Sequence, residues 1–419
     1  LFKPAENGRT AKTGVFTSLQ HPDYRRLWFA NVSAGSAHWA LIVARGWLVF
    51  ELTDSSTLVG IVTFAAMIPT FLLSPFAGLL ADRIDRRKLL GWTFGLNAAH
   101  NLLLAALSMA GIVEVWHLIV LSFINGSARA AQMPATGSLL PNLVPRHHLL
   151  NAIALSSASI HGTRLAGPLL IAPLLATVGT AGAFALCTVF YLLGLFQVSR
   201  IRTPSTGIVE SEKGGMENLL AGLHYVYHHH LLLPLTLLAV AHCALTMSFE
   251  SLLPVLAKEK LGVEGAGFSY MMMAVGAGAL VGVIGLTKVQ NDAVRGRLLL
   301  VTGIVSGVTP IALAVSPNLP IALFAAAGMG ASQGGFMTLF TTIVQSIVPD
   351  AIRGRITSIT NLHIGGFMAG FNLVNGHLAD IVGAPAILAV TGVIFLMVVP
   401  LSFSSMHIRQ LYSLNSQGV

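Results

Sequence analysis

The sequence predicts an all-α integral membrane protein with twelve transmembrane helices in two pseudo-symmetric six-helix bundles. The first observation is composition: 54% of the 419 residues are hydrophobic and 10% are charged. A soluble protein of this size keeps about a quarter of its residues charged. The second is the recurrence of long apolar runs, and the third is a weak internal repeat. A chain of this composition cannot cover a water-facing surface, so it is expected to lie in a bilayer.

The apolar runs have the length that a helix needs to cross a hydrocarbon core of about 30 Å. They lack the period-two alternation of membrane strands, which argues against a barrel. The first run is too long for a signal peptide and has no small-residue cleavage site, so no cleavable signal is expected. The predicted spans are residues 27–50, 57–80, 89–111, 115–138, 149–176, 180–199, 231–254, 266–288, 297–316, 320–346, 356–381 and 385–406.

Basic residues are distributed unevenly between the two sets of loops. With both termini in the cytoplasm, 19 of the 24 lysines and arginines lie inside, whereas only Lys258 and Lys260 lie outside. Cytoplasmic loops carry this excess in membrane proteins. The same pattern accounts for the net charge of +8, so no nucleic-acid partner is expected. Cys187 and Cys243 lie within apolar runs, and no disulfide framework is predicted.

A polar stretch at 203–218 separates two groups of six spans, and its composition is typical of a flexible linker. It divides the chain into five predicted parts. These are a cytoplasmic N-terminal segment (1–26), an N-terminal six-helix bundle (27–200), a cytoplasmic linker (201–230), a C-terminal six-helix bundle (231–406) and a cytoplasmic tail (407–419).

An offset of 204 residues aligns the two halves with each other. It superimposes Leu143-Val144-Pro145 on Ile347-Val348-Pro349, Gly126 on Gly330, and His38 on His242. Each match is weak alone, but several at one offset indicate a tandem repeat.

Six of the seven residues from Asp82 to Lys88 are charged, and they lie between two apolar runs. So much charge in a tight turn indicates a membrane-surface loop. The stretch Gly78–Lys88 resembles the signature loop of the major facilitator superfamily of transporters. Further stretches resemble its drug- and siderophore-exporter branch, and together they cover most of the chain. They are Trp47–Thr53, Leu140–Pro145 with Asn151–Leu155, Gly162–Pro168, and Val348–Asp350 with Arg353–Arg355.

The resemblance implies that the loop is a conformational gate. In the family, the aspartate matching Asp82 contacts the eleventh helix of the other half, and such contacts form in one conformation and break in the other. The second copy of the loop, at 282–297, lacks the Asp-Arg core, so a one-sided latch is expected. The alternative is a loop that serves membrane topology only. The gate residues are Gly78, Asp82, Arg83, Asp85, Arg86, Arg87 and Lys88.

Charged residues inside the spans are the next candidates, because an arginine at a helix centre costs about 2.5–3.5 kcal/mol and normally faces a cavity or a partner. The repeat maps Arg45 next to Glu250. These two residues are predicted to form an outer gate or a proton-sensitive pair, with Glu250 as the proton carrier. Alternatively, both reach the outer headgroups. Asp380 is interpreted as an interfacial charge.

The same offset maps Arg129 onto Gln333, and both are expected to point into a central cavity. Arg129 is a candidate for binding an anionic substrate, or for a structural hydrogen bond. His38 and His242 are candidates for cavity groups that titrate near neutrality, or for satisfied histidines in helix interfaces.

The fifth helix carries Arg164, Gly167 and Pro168, which resemble the Gly-Pro motif of antiporters. Arg164 is expected to have an interhelical structural role. Leu170 and Ile171 replace the usual trailing glycines, which weakens the antiporter interpretation more than the fold.

No phosphate-binding loop, zinc-ligand spacing or hydrolase elbow occurs, so neither an enzyme nor a cofactor or metal is predicted. We expect a secondary active transporter that exports a small drug-like or siderophore-like compound across the bacterial inner membrane. Its partners would be this substrate, protons and the bilayer, and a monomer would suffice. Alternating access would occur around a midplane site, with proton antiport. The alternatives are a lipid or lysophospholipid mover of the same fold, and a membrane sensor without transport.

Overall fold

A computed structural model describes residues 16–205, 215–287, 289, 291–349 and 352–402. Within these ranges, the side chains of 74–83, 215–219, 292–293 and 354–355 are not described. The helices are α1 (Pro22–Thr53), α2 (Ser56–Arg83), α3 (Arg86–Met109), α4 (Val115–Leu139), α5 (Arg146–Thr177), α6 (Thr180–Ser199), α7 (Gly215–His228), α8 (Leu232–His242), α9 (Leu253–Val255), α10 (Gly265–Leu286), α11 (Asp292–Val315), α12 (Leu319–Ile347), α13 (Arg353–Val382) and α14 (Ala384–Leu401).

Eleven of the helices in the described residues have at least 18 residues, and the broken segment Leu232–Lys260 adds a twelfth crossing. By length and apolarity alone, six described helices qualify as membrane spans, or seven if the bent pair Leu220–His228 and Leu232–Met247 is one span. The other long helices have lower mean hydropathy because polar side chains such as Asn97, His100 and Asn125 lie within them.

The predicted continuous span 231–254 is wrong. Helix α8 ends at His242 and is followed by a π-helix (Cys243–Met247), an irregular stretch and a second π-helix (Leu256–Lys260). The Ser248 hydroxyl donates to the Cys243 carbonyl at 3.0 Å and so competes with the helical ladder. Pro254 lacks an N–H and disfavours helical geometry in the residue before it. These local effects interrupt a run that is apolar over most of its length.

The two halves share one packing arrangement, which supports the repeat. A Cβ atom added at Gly126 of α4 would meet the Ala66 carbonyl of α2. At the equivalent Gly330 of α12, it would meet the Val275 carbonyl of α10. Only glycine permits backbones to approach so closely, as in many membrane helix pairs.

The halves meet through α2 with α13 and through α5 with α10. We name the two ends of the bundle after residues that lie there. The Asp380 end carries the turns at 54–55, 110–114, 178–179, 261–264 and 383, whereas the Asp85 end carries 84–85, 140–145, 200–205 and 348–349. Helix α7, in the predicted linker region, also lies at the Asp85 end and is bent by 99° from α8.

Candidate functional site

Glu250 lies in the irregular stretch between the first π-helix and α9, inside the helical bundle. Irregular backbone is tolerated at membrane depth only where protein or a water-filled cavity satisfies it. Two amides from the same half do so here. The Gln333 amide donates to the Thr246 carbonyl at 2.6 Å, and the Asn375 amide donates to the Ser248 carbonyl at 2.8 Å. The break is therefore a built feature that holds a carboxylate at a fixed place.

His242 and Gln333 belong to the framework of this break. Both have 0% exposure. The His242 ring is stacked on Phe336 at 4.0 Å, and its Nε2 lies 2.9 Å from the Ser306 hydroxyl. These positions differ from the cavity-lining positions that were expected from the repeat.

Three arginines interact with the carboxylate in the break. Glu250 interacts electrostatically with Arg45, Arg164 and Arg129. We call these four residues the charged cluster. It joins α1, α4 and α5 of the first half to the broken helix of the second. No ion pair within 4 Å links Glu250 to any described residue, so the predicted pair of Arg45 and Glu250 stays a prediction.

Packing of α1 against the second half positions Arg45. A Cβ atom at the adjacent Gly46 would lie 3.8 Å from Pro254 and 3.7 Å from Phe268. His38 is seven residues before Arg45 and therefore lies on the same helical face. Both His38 and Arg129 are partly exposed, and they interact electrostatically.

The helix-5 motif, Arg164, Gly167 and Pro168, contacts α1 on one side of α5 and α10 on the other. A Cβ atom at Gly167 would lie 2.5 Å from the Ser36 carbonyl of α1. Because Pro168 has no N–H, it cannot satisfy the Arg164 carbonyl within α5, and Gly276 of α10 packs closely against that carbonyl. The Arg164 guanidinium lies over the Trp39 ring at 4.9 Å from its centroid. The interhelical structural role expected of Arg164 stays a prediction, and its contact with Trp39 of α1 is consistent with it.

Asp380 makes more contacts than an interfacial charge would. From α13 it accepts hydrogen bonds from the Ser56 N–H at 2.6 Å, the Thr57 N–H at 3.0 Å and the Ser55 hydroxyl at 2.7 Å. It therefore caps the N-terminus of α2 from the other half. Lys258 pairs with Asp54 at 2.5 Å beside it.

The described part of the predicted gate loop is tied to its own half. The Asp85 carboxylate accepts from the Arg87 N–H at 2.9 Å and caps α3. Arg87 also donates to the Ile201 and Arg202 carbonyls, and Arg86 donates to the Ser138 carbonyl at 3.1 Å. Lys88 follows on an exposed position.

The side chains of Gly78, Asp82 and Arg83 lie outside the described residues. The contact that the resemblance implies for Asp82 thus remains a prediction.

Several polar groups near the site were missed by the sequence reasoning. Tyr191 is buried, and the Asn125 amide donates to the Asn97 side-chain oxygen at 2.7 Å within the protein. Polar residues inside apolar runs were a usable signal for the asparagines. No group of three His, Cys, Asp or Glu side chains that could hold a metal occurs in the described part of the chain.

Comparison with known proteins gives the family. The family model of transmembrane secretion effectors, MFS_3, matches residues 13–418. Among curated relatives, the multidrug efflux pump Tap of Mycolicibacterium fortuitum is 26% identical, over 85% of this chain and 89% of its own. The staphyloferrin A transporter of Staphylococcus aureus is 22% identical, with the same coverage of 85% and 89%.

Solved structures of low sequence identity share the fold. A peptide transporter POT superimposes with a TM-score of 0.74 and 13% identity, over 93% of this chain and 95% of its own. A POT family transporter in complex with 5-aminolevulinic acid has a TM-score of 0.72 and 12% identity, over 92% and 96%. With its two halves and its matched family model, the chain belongs to the transmembrane secretion effectors of the major facilitator superfamily and is a membrane transporter rather than an enzyme.

Proposed function

We propose that the chain is a monomeric exporter of the bacterial inner membrane that moves a small amphiphilic organic compound outward in exchange for protons. The basic residues of the loops support a cytoplasmic position for the Asp85 end and a periplasmic position for the Asp380 end. The names of the Tap and staphyloferrin A relatives support a drug-like or siderophore-like substrate.

The observation that carries the proposal is closure at one end. Hydrogen bonds that join the two halves connect Asp380 or His377 to residues 55–57, Lys258 to Asp54, and Ser269 to the Pro168 carbonyl. These bonds lie in the half of the bundle nearest the Asp380 end. Halves that are joined at one end can rock apart there and meet at the other, which is the motion that alternating access requires.

Glu250 is the candidate proton carrier. It is an ionisable carboxylate inside the bundle, and such residues mark ion or proton pathways in transporters. It lies at a helix break between the two halves, where coupling-ion sites are found in this architecture. Proton uptake there would change the charge that faces Arg45, and would so couple protonation to the contact between halves.

The test is dye transport in inverted inner-membrane vesicles that contain the full chain. A panel of sulforhodamine B, a net-anionic dye, and tetramethylrhodamine ethyl ester, a cationic one, is followed with and without a proton gradient. We expect gradient-driven accumulation of at least one dye. In Glu250→Gln, we expect this accumulation to fall about tenfold or more and to lose its pH dependence.

Glu51→Gln is the matched control, because Glu51 is exposed at the end of α1. It should transport like the parent chain. An unchanged pH dependence in Glu250→Gln would rule out the proton role, and the absence of gradient-dependent flux for both dyes would contradict the exporter proposal.

A further inference from the structure

We infer that the charged cluster is a binding site for organic anions, so that the exported compound carries a carboxylate, sulfonate or similar group. This inference rests on the proposed transport function and names its substrate class. The observations behind it are two buried arginines, Arg45 and Arg164, that each have a guanidinium nitrogen without a hydrogen-bond partner. Together with the partly buried Arg129, they interact electrostatically with the carboxylate in the break of the α8 segment.

The charge balance favours an anion. Arg45, Arg129 and Arg164 contribute three positive charges and Glu250 contributes one negative charge, which leaves a net charge of 3 − 1 = +2. Charges interact far more strongly in a protein interior than in water, because the effective dielectric constant is lower. A cation would meet this net positive field, whereas an anion would be attracted by it.

Hydrogen-bond donors in the cluster are available to a ligand. Arg45 is 4% exposed, and one of its terminal nitrogens has no hydrogen-bond partner. The Nε of Arg164 also lacks one. Buried donors without partners are destabilising, so a ligand that accepts hydrogen bonds from them is favoured. A guanidinium presents its N–H groups in a planar fork that fits the two oxygens of a carboxylate or sulfonate.

Aromatic rings beside the arginines favour an organic anion over an inorganic one. Trp39 lies against the Arg164 guanidinium, and the His38 and Trp39 ring centroids are 5.6 Å apart. Rings of this kind offer flat apolar surface next to positive charge, which suits a ligand with an aromatic or apolar body and an acidic group.

The charge of Glu250 provides a way to distinguish an anion-binding site from a cation-binding site. It is the acidic member of the cluster, and three arginines already interact with it. Removing its charge raises the net charge from +2 to +3. The inference therefore requires that Glu250→Gln strengthen anion binding, even though the same variant is expected to lose coupled transport.

Binding is measured on the purified full chain in detergent, without any gradient, by fluorescence anisotropy of sulforhodamine B and of tetramethylrhodamine ethyl ester. The two dyes share a xanthene core and differ in net charge. We expect the anionic dye to bind more tightly. We expect Arg129→Gln to weaken its binding about tenfold, and Glu250→Gln to strengthen it about threefold to tenfold.

Arg25→Gln is the matched control, because Arg25 is exposed near the start of α1, and it should leave both affinities unchanged. Thermal melting of each variant establishes that it is folded. The inference is overturned if the cationic dye binds as tightly as the anionic one, or if Arg129→Gln and Glu250→Gln leave anion affinity unchanged. If dyes are transported with the gradient but the anionic dye shows no preferential binding, the exporter proposal stands and the anion-site inference fails. If the anionic dye binds preferentially but no dye is transported with the gradient, only the exporter proposal is refuted.

Discussion

At the scale of the residue, single amides decide whether the break in α8 is tolerated. At the break, the Thr246 carbonyl accepts a hydrogen bond from the Gln333 amide, and the Ser248 carbonyl accepts one from the Asn375 amide. A buried carbonyl without a donor destabilises the protein, because it has lost its hydration and gains no hydrogen bond in exchange. These side chains are therefore expected to contribute to stability before they contribute to transport.

Gln333→Leu should destabilise the protein by about 1–3 kcal/mol, because it leaves the Thr246 carbonyl buried without its donor. The measurement is the melting temperature of the purified chain in detergent. Gln345→Leu is the matched control, since it makes the same change at an exposed position of α12. Equal melting temperatures for the two variants would show that the hydrogen bond does not support the break.

The sequence could identify Arg45, Glu250 and Arg129 because charge in an apolar run is visible without a structure. It could not distinguish His38, which is partly exposed, from His242, which is fully buried. The repeat assigns both to the same depth, but the rotation of a helix and the neighbours of each ring depend on packing that differs between the halves. Asp380 was underestimated because its partners lie more than 300 residues away.

At the scale of the element, the loop at the Asp85 end fastens α3 to the segment that leads out of the first half. Asp85 caps α3 and holds the Arg87 guanidinium, which in turn donates to the Arg202 carbonyl at 2.9 Å. The side-chain hydrogen bond from Arg87 holds the pKa of Asp85 below its ordinary value of 3.8. Asp85 is thus ionised at neutral pH and positions Arg87.

Asp85→Asn should loosen residues 201–205 while it keeps the cap, because asparagine caps helices about as well as aspartate but cannot pair with Arg87. We expect trypsin to cleave after Arg202 several times faster than in the parent chain. Since the folded-state pKa is lowered, the stabilisation by Asp85 is present above its ordinary pKa and is lost as pH falls through the folded value. An acid-stable protease such as pepsin should therefore show a smaller difference between parent and variant as the pH falls below the ordinary pKa of 3.8. Cleavage at equal rates at neutral pH would contradict the role of Arg87.

Element boundaries were largely predictable, since ten or more of the apolar runs correspond to helices that begin and end within a few residues of the predicted limits. The broken seventh segment was not. Its interruption depends on Ser248, Pro254 and on amides from distant helices, and average hydrophobicity does not register any of these. Helix α7 was also missed, because a polar composition was interpreted as a linker.

At the scale of the whole molecule, the two halves are closed at the Asp380 end by close helix contacts and by one carboxylate. Gly376 of α13 packs against the Ser56 carbonyl of α2, where a larger residue would not fit. Asp380 then accepts hydrogen bonds from the first N–H groups of α2. An anion at a helix N-terminus is favourable because the free N–H groups and the helix dipole both point to it. The closed state therefore gains a contact that an open state lacks.

Asp380→Asn should shift the population toward the state that is open at the Asp380 end. Loss of the charge-assisted hydrogen bonds and of the dipole interaction removes about 1.5–3 kcal/mol from the closed state. Each 1.4 kcal/mol changes an equilibrium constant tenfold, so the ratio of open to closed molecules should rise about tenfold to a hundredfold. Spin labels at Glu51→Cys and Glu259→Cys, which are exposed positions of opposite halves near this end, report the separation by pulsed electron resonance. Cys187 and Cys243 are buried and should not label.

Asp54→Asn is the control. It removes an exposed ion pair worth about 0–1 kcal/mol, so the distances between the labels should change far less. If Asp380→Asn and Asp54→Asn give the same distances, the carboxylate on α13 does not hold the two halves together.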